Sequence, residues 1–136
     1  MNNYFSEYCD KNFGVALNGL SYHTVESESD VAECELKIVD TISYRISDGF
    51  LYYLCSRKLC LEPAAILDIE ISFNIRFALI NTNDPAVNCV DWKKEILSNG
   101  KEYLNNVYSR ISLLISSITS ANGSIPVITP PSYISG

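Results

Sequence analysis

A chain of 136 residues with 47% hydrophobic and 19% charged content is long enough to bury a real core and too apolar for disorder, so a single domain over 1–136 is expected. The formal net charge of −6 argues against nucleic-acid backbones and anionic membranes as partners. No run has the continuous apolar length of a membrane span. Met1-Asn2-Asn3-Tyr4 leads from no basic region into an apolar one, so a cytoplasmic chain without signal peptide or membrane insertion is expected.

Residues 1–12 are polar and irregular and read as a loose lead-in; residues 13–80 read as sheet. In a first strand over 13–25, Phe13, Val15 and Leu17 alternate until Gly19, where a bulge can switch the facing set. Residues 26–30 form an acidic connection. Cys34, Leu36, Ile38, Ile42, Tyr44 and Ile46 then keep one face apolar, with Asp40 the exception. Ser47-Asp48-Gly49 signals a turn, and 50–61 follow as a third strand rich in aromatic and branched residues until Glu62-Pro63. The strongest pattern lies in 66–80. Leu67, Ile69, Ile71, Phe73, Ile75, Phe77 and Leu79 fall on every second residue, with Asp68, Glu70, Ser72, Asn74 and Arg76 between them. Strand side chains alternate faces, so one face is apolar and the other polar. Short links favour antiparallel neighbours.

After residue 80 the period changes, and 85–121 read as a helical region. Asp84-Pro85 can cap and start a helix; Trp92, Ile96 and Leu97 suggest one or two turns before Asn99-Gly100. Leu104, Val107, Tyr108, Ile111, Leu114, Ile115 and Ile118 then give the spacing of an amphipathic helix over Lys101–Ala121, ended by Asn122-Gly123. The fold expected is therefore α+β: a four-stranded antiparallel sheet with a long C-terminal amphipathic helix packed on one face.

The outer face of that helix carries Ser109, Ser112, Ser116 and Ser120, and no charged residue occurs from 111 to 136. Small residues four apart let a second helix approach closely. These serines are the expected interface of a homodimer or homotetramer, against the alternative of a helix buried on both sides within one domain. The Pro-rich, apolar stretch 124–136 favours extended backbone. It is read either as a strap along the sheet edge or as the wall of an apolar binding groove formed by Ile125, Val127, Ile128 and Tyr133.

Reactive chemistry is not indicated. Five cysteines without a C-x-x-C pair fit a reducing compartment, and Cys34, Cys55 and Cys60, in strand-like runs, read as small buried side chains. His23, the single histidine, cannot supply a metal cluster. Asp68 and Glu70 share a face as any solvated pair would, while the neighbours Arg57 and Lys58 point to opposite faces. Phosphate-loop, dinucleotide and zinc-protease motifs are absent. No catalytic residue, metal or cofactor is expected.

Two passages carry a resemblance. Arg57-Lys58-Leu59-Cys60-Leu61-Glu62-Pro63, leading into the strand that follows, resembles the third-to-fourth strand passage of the SecB-like chaperone family. Residues 111–118, then Gly123, Pro126 and Pro130-Pro131-Ser132-Tyr133-Ile134, resemble the end of that family's long helix and its following loop. The resemblance covers roughly 13–134. It implies an ATP-independent holdase that binds unfolded polypeptides such as preproteins along apolar grooves and assembles as a dimer of dimers. The alternative is a dedicated partner-binding protein, such as a chaperone for an antitoxin, or a scaffold. Export chaperones continue into a second helix and a tail for the export machinery; the sequence ends at Gly136, so client binding is expected ahead of coupling to the translocation motor.

Overall fold

The computed structural model describes residues 3–24, 35–62, 67–81, 83–121 and 126–134. The acidic connection 26–30, Cys34, Pro63, Asn122-Gly123 and Ile125 lie outside the described residues. Strands β1 (Cys9–Thr24), β2 (Glu35–Ser47), β3 (Phe50–Glu62) and β4 (Leu67–Leu79) form one antiparallel sheet in the order β1-β4-β3-β2. β4 is therefore interior, and its period-two pattern is realised: Leu67, Ile69, Ile71, Phe73, Ile75 and Phe77 are all buried.

Local chemistry sets the registers. Asp48 and Gly49, with φ of 53° and 81°, make the doubly left-handed two-residue turn that matches strand twist. It places Ser47 opposite Phe50. In β1 the pairing with β4 slips by one residue between Leu17 and Gly19, so Phe13 and Val15 before the slip and Leu20 and Tyr22 after it take the inward face. That is the switch of facing set expected at Gly19.

The lead-in is corrected. Asn3 caps a short helix α1 (Tyr4–Tyr8), its Oδ1 accepting from the backbone N–H of Phe5 and Ser6, and the first strand begins at Cys9 instead of residue 13. Phe5 and Tyr8 are buried. Phe5 sits among Tyr53, Phe77, Trp92 and Tyr103 at ring distances of 5.3–6.3 Å. Burial of such a ring stabilises by about 1.5–3 kcal/mol, which holds a helix too short to show a period of its own.

Asp84 caps a 3-10 turn, Pro85–Cys89, and Asp91 caps α2 (Trp92–Asn99), which ends at Gly100 before α3 (Lys101–Ala121). α3 turns Leu104, Val107, Tyr108, Ile111 and Ile115 into the core, with Ile118 partly buried against it. Among the described residues no helix is long and apolar enough to cross a membrane. Cys9 and Cys55 are buried and burial pushes each thiol up to about 12, whereas Cys60 is only half-buried on the helix-free face and Cys89 is exposed.

Candidate functional site

The register of the β2–β3 hairpin creates the anchor of the site. Asp40 lies directly opposite Arg57 on the helix-covered face. Both side chains are fully buried, and they form a two-pronged ion pair: Arg57 Nε donates to Asp40 Oδ1 at 2.7 Å and Nη2 to Oδ2 at 2.8 Å. The remaining donors hold the C-terminal segment. Nη1 donates to Thr129 Oγ1 at 3.0 Å and to the Pro130 carbonyl at 2.5 Å, and Nη2 to the Ser132 carbonyl at 2.8 Å. Each N–H of a guanidinium thus has an acceptor. Asp40 Oδ2 also accepts from the Ile134 amide at 2.9 Å.

Helix α3 holds the same segment from its flank. Ser112 Oγ donates to the Thr129 carbonyl at 2.7 Å, and Thr119 Oγ1 accepts from the Val127 amide at 2.8 Å. Tyr108 closes the arrangement. Its ring lies 5.1 Å from the Arg57 guanidinium carbon and 5.7 Å from the Tyr133 ring, and its hydroxyl donates to the carbonyls of Thr41 and Ser56. Burial raises the pKa of that hydroxyl and keeps it a donor.

Extended backbone makes successive side chains face opposite ways. Val127 and Tyr133 accordingly pack against the core and Thr129 is buried, while Ile128 is 75% exposed. Of the residues expected to line a client groove, only Ile128 among those described presents its side chain fully outward. The serines divide too. Ser112 is taken up by the chain's own C-terminal segment. Ser109, half-buried Ser116 and Ser120 lie with Leu113, which is 69% exposed, along one outer line of α3 at spacings of four, three and four. Further large apolar side chains stand open on the inward face at the two sheet edges, Leu17 and Leu20 on β1 and Leu36 and Tyr44 on β2.

Sequence reasoning missed Asp40 and Arg57 as partners. The signal was present: a two-residue turn pairs Ser47 with Phe50, and counting seven residues outward along both strands brings Asp40 against Arg57.

No family model matches this chain, and no curated protein matches it. Among solved structures it is similar to a SecB-like chaperone of Mycobacterium tuberculosis in complex with a peptide from an antitoxin: TM-score 0.64, 9% sequence identity, 93% of this chain and 91% of that chain covered. At that identity the likeness is one of fold.

Proposed function

We propose that this chain is an ATP-independent chaperone that holds extended polypeptide against the helix-covered side of its sheet. The observation that carries the reading is a firmly anchored apolar segment with an outward side chain, Ile128, on a SecB-like fold whose inward face is left open at both edges by Leu17, Leu20, Leu36 and Tyr44. Binding on such a surface is driven by apolar burial, at about 25 cal/mol per Å² before ordering costs. A segment already fixed by Arg57 and Ser112 loses little further entropy when a client docks beside it. The sheet edges could also add main-chain hydrogen bonds to an extended client.

The test uses a fluorescent, chemically unfolded client. Ile128→Ser should weaken its binding while the melting temperature stays within about 2 °C of wild type, because an exposed side chain contributes little to folding. Val127→Ser should do the reverse, lowering the melting temperature and leaving affinity per folded molecule unchanged. An unchanged affinity for a folded Ile128→Ser protein would move client binding off this segment.

A second reading, a chaperone dedicated to one partner such as an antitoxin, is favoured by the peptide bound to the structurally similar chaperone. Aggregation assays separate the two. A general holdase suppresses aggregation of unrelated reduced proteins; a dedicated one protects its own partner alone.

A further inference from the structure

The face of the sheet that no helix covers among the described residues carries a different surface. Register places Gly14, Arg76, Tyr52 and Arg45 in one row across all four strands. The next row along brings Ala16 and Asn74 beside it. Gly14 has open space where a side chain would stand, so the β1 end of the row is a floor without walls. A depression of about 400 Å³ results, bordered by Arg45, Tyr52, Asn74 and Arg76. It continues into a second of about 230 Å³ that shares Arg45, Tyr52 and Asn74 and extends to Ser43 and Leu54.

The charge of this row is unmatched among the described residues. Arg45 and Arg76 are exposed, and neither has a carboxylate partner among the described residues. Each instead lies over an aromatic ring, Arg45 4.3 Å from the Tyr52 centroid and Arg76 4.9 Å from that of Phe50. A guanidinium so stacked is held in place while its in-plane N–H donors stay free for a carboxylate fork. The outward carboxylates of β4, Asp68 and Glu70, sit towards the other end of the strand, about 20 Å or more from Arg76. The carboxylate of Asp48, in the nearby turn, accepts from Ser47 Oγ. The chain's own acidic run, Glu26, Glu28, Asp30 and Glu33, joins Thr24 to Glu35, strand ends opposite the arginine row. That row is about 30 Å along β4 from its Leu67 end, which pairs with Thr24.

We infer that the Arg45–Tyr52–Arg76 row is a docking site for an acidic, extended peptide segment of a partner polypeptide, engaged on the face opposite the apolar surface. It rests on the reading that this chain binds polypeptide and adds to it a charge preference: clients carrying carboxylates at alternate positions are held on both faces. Side chains two apart in an extended segment project the same way about 7 Å apart. The arginine Cα atoms, two strands apart, stand about 10 Å from each other, a difference that two long side chains span.

The experiment is fluorescence anisotropy at low and raised salt with a labelled peptide alternating glutamate and serine, beside its glutamine counterpart. Wild-type protein should bind the glutamate peptide, with affinity falling as salt rises, and should not bind the glutamine one. Arg45→Gln with Arg76→Gln should weaken binding by about tenfold or more, and Arg45→Lys with Arg76→Lys by less, since charge without the fork is retained. Both residues are exposed, and a thermal melt checks the variants; the single Arg76→Gln change and the salt titration read the same site should the double glutamine variant not fold. Equal affinity of wild type and folded double variant, equal affinity for the two peptides, or no glutamate-peptide binding would overturn the assignment. So would self-association that the glutamine variants abolish without any peptide binding, which would assign the row to the acidic run of a second copy. An uncharged unfolded client run in parallel keeps the two proposals distinct. Its failure to bind, with the glutamate peptide bound, supports this site and removes the apolar surface. The converse overturns this site alone.

Discussion

At the scale of single residues, the Asp40–Arg57 pair governs the C-terminal segment. Taking two charges out of water is costly, and here the cost is offset by a two-pronged ion pair and three further acceptors for Arg57. Arg57→Met should therefore cost about 3–5 kcal/mol, because it strands a buried carboxylate. Asp40→Leu with Arg57→Met should recover part of that loss, since apolar residues of similar size replace such pairs well, yet leave residues 127–134 sensitive to protease. Denaturant titration with limited proteolysis reads both; a cost below about 1 kcal/mol for the single change would mean the pair is solvated. A pH dependence follows from the buried thiols and phenols. Burial raises Cys9 and Cys55 to about 12 and Tyr8 to about 12, and raises Tyr53 and Tyr108 as well. Between about pH 9 and about pH 12 the unfolded chain loses these protons before the folded one does. The stabilisation from keeping them neutral is thus complete below about pH 9 and lost as pH rises towards 12. The denaturation midpoint should fall between about pH 8 and about pH 10.5. A flat profile over that range would place these groups in solvent.

At the scale of elements, the joints matter more than the strands and helices they connect. Gly100 turns α2 into α3 within one residue, and its backbone N–H closes α2 on the Ile96 carbonyl at 3.0 Å. A Cβ there would stand 2.7 Å from Ile96 Cγ1 and 3.0 Å from Ile96 backbone atoms. Backbone cannot swing aside as a side chain can, so Gly100→Ala should destabilise by about 1–3 kcal/mol. It should also disturb Trp92, whose carbonyl accepts from the Tyr53 hydroxyl at 2.7 Å. A thermal melt followed by Trp92 fluorescence checks both. An unshifted melt would show that α2 and α3 separate freely at this joint.

At the scale of the whole molecule, one sheet presents two unlike faces. The covered face holds the helices and the anchored segment; the other, which no helix covers among the described residues, carries the arginine row. Beyond the sheet, α3 shows the line Ser109, Leu113, Ser116, Ser120, whose alternating spacing of four and three is that of a helix seam. A homodimer or dimer of dimers through this line remains our proposal, now without Ser112, whose hydroxyl is held by Thr129. Ser116→Arg should lower the sedimentation coefficient, because a buried unpaired charge is costly, while Ser112→Ala should leave assembly intact and loosen the C-terminal segment. A wild-type chain that sediments as a monomer at micromolar concentration would end the seam argument.

Whatever repeats with a short period was legible in the sequence itself. The alternation in 66–80 fixed which face of β4 is buried, the spacing in Lys101–Ala121 fixed the inward face of α3, and Gly19, Asp48-Gly49 and Gly100 marked the bulge, the turn and the joint. These depend on neighbours along the chain and on steric limits that act within a few residues. The tertiary structure alone decided the rest. The order β1-β4-β3-β2, the docking of α1 on the aromatic cluster and the occupation of Ser112 by Thr129 join residues with no local code between them. The anchor is the clearest case. Arg57 meets Asp40 across 17 positions and Thr129 across 72. A lone charge on an apolar strand face looks like an exception until folding supplies its partners, because the cost of burying it is met only by acceptors brought from elsewhere.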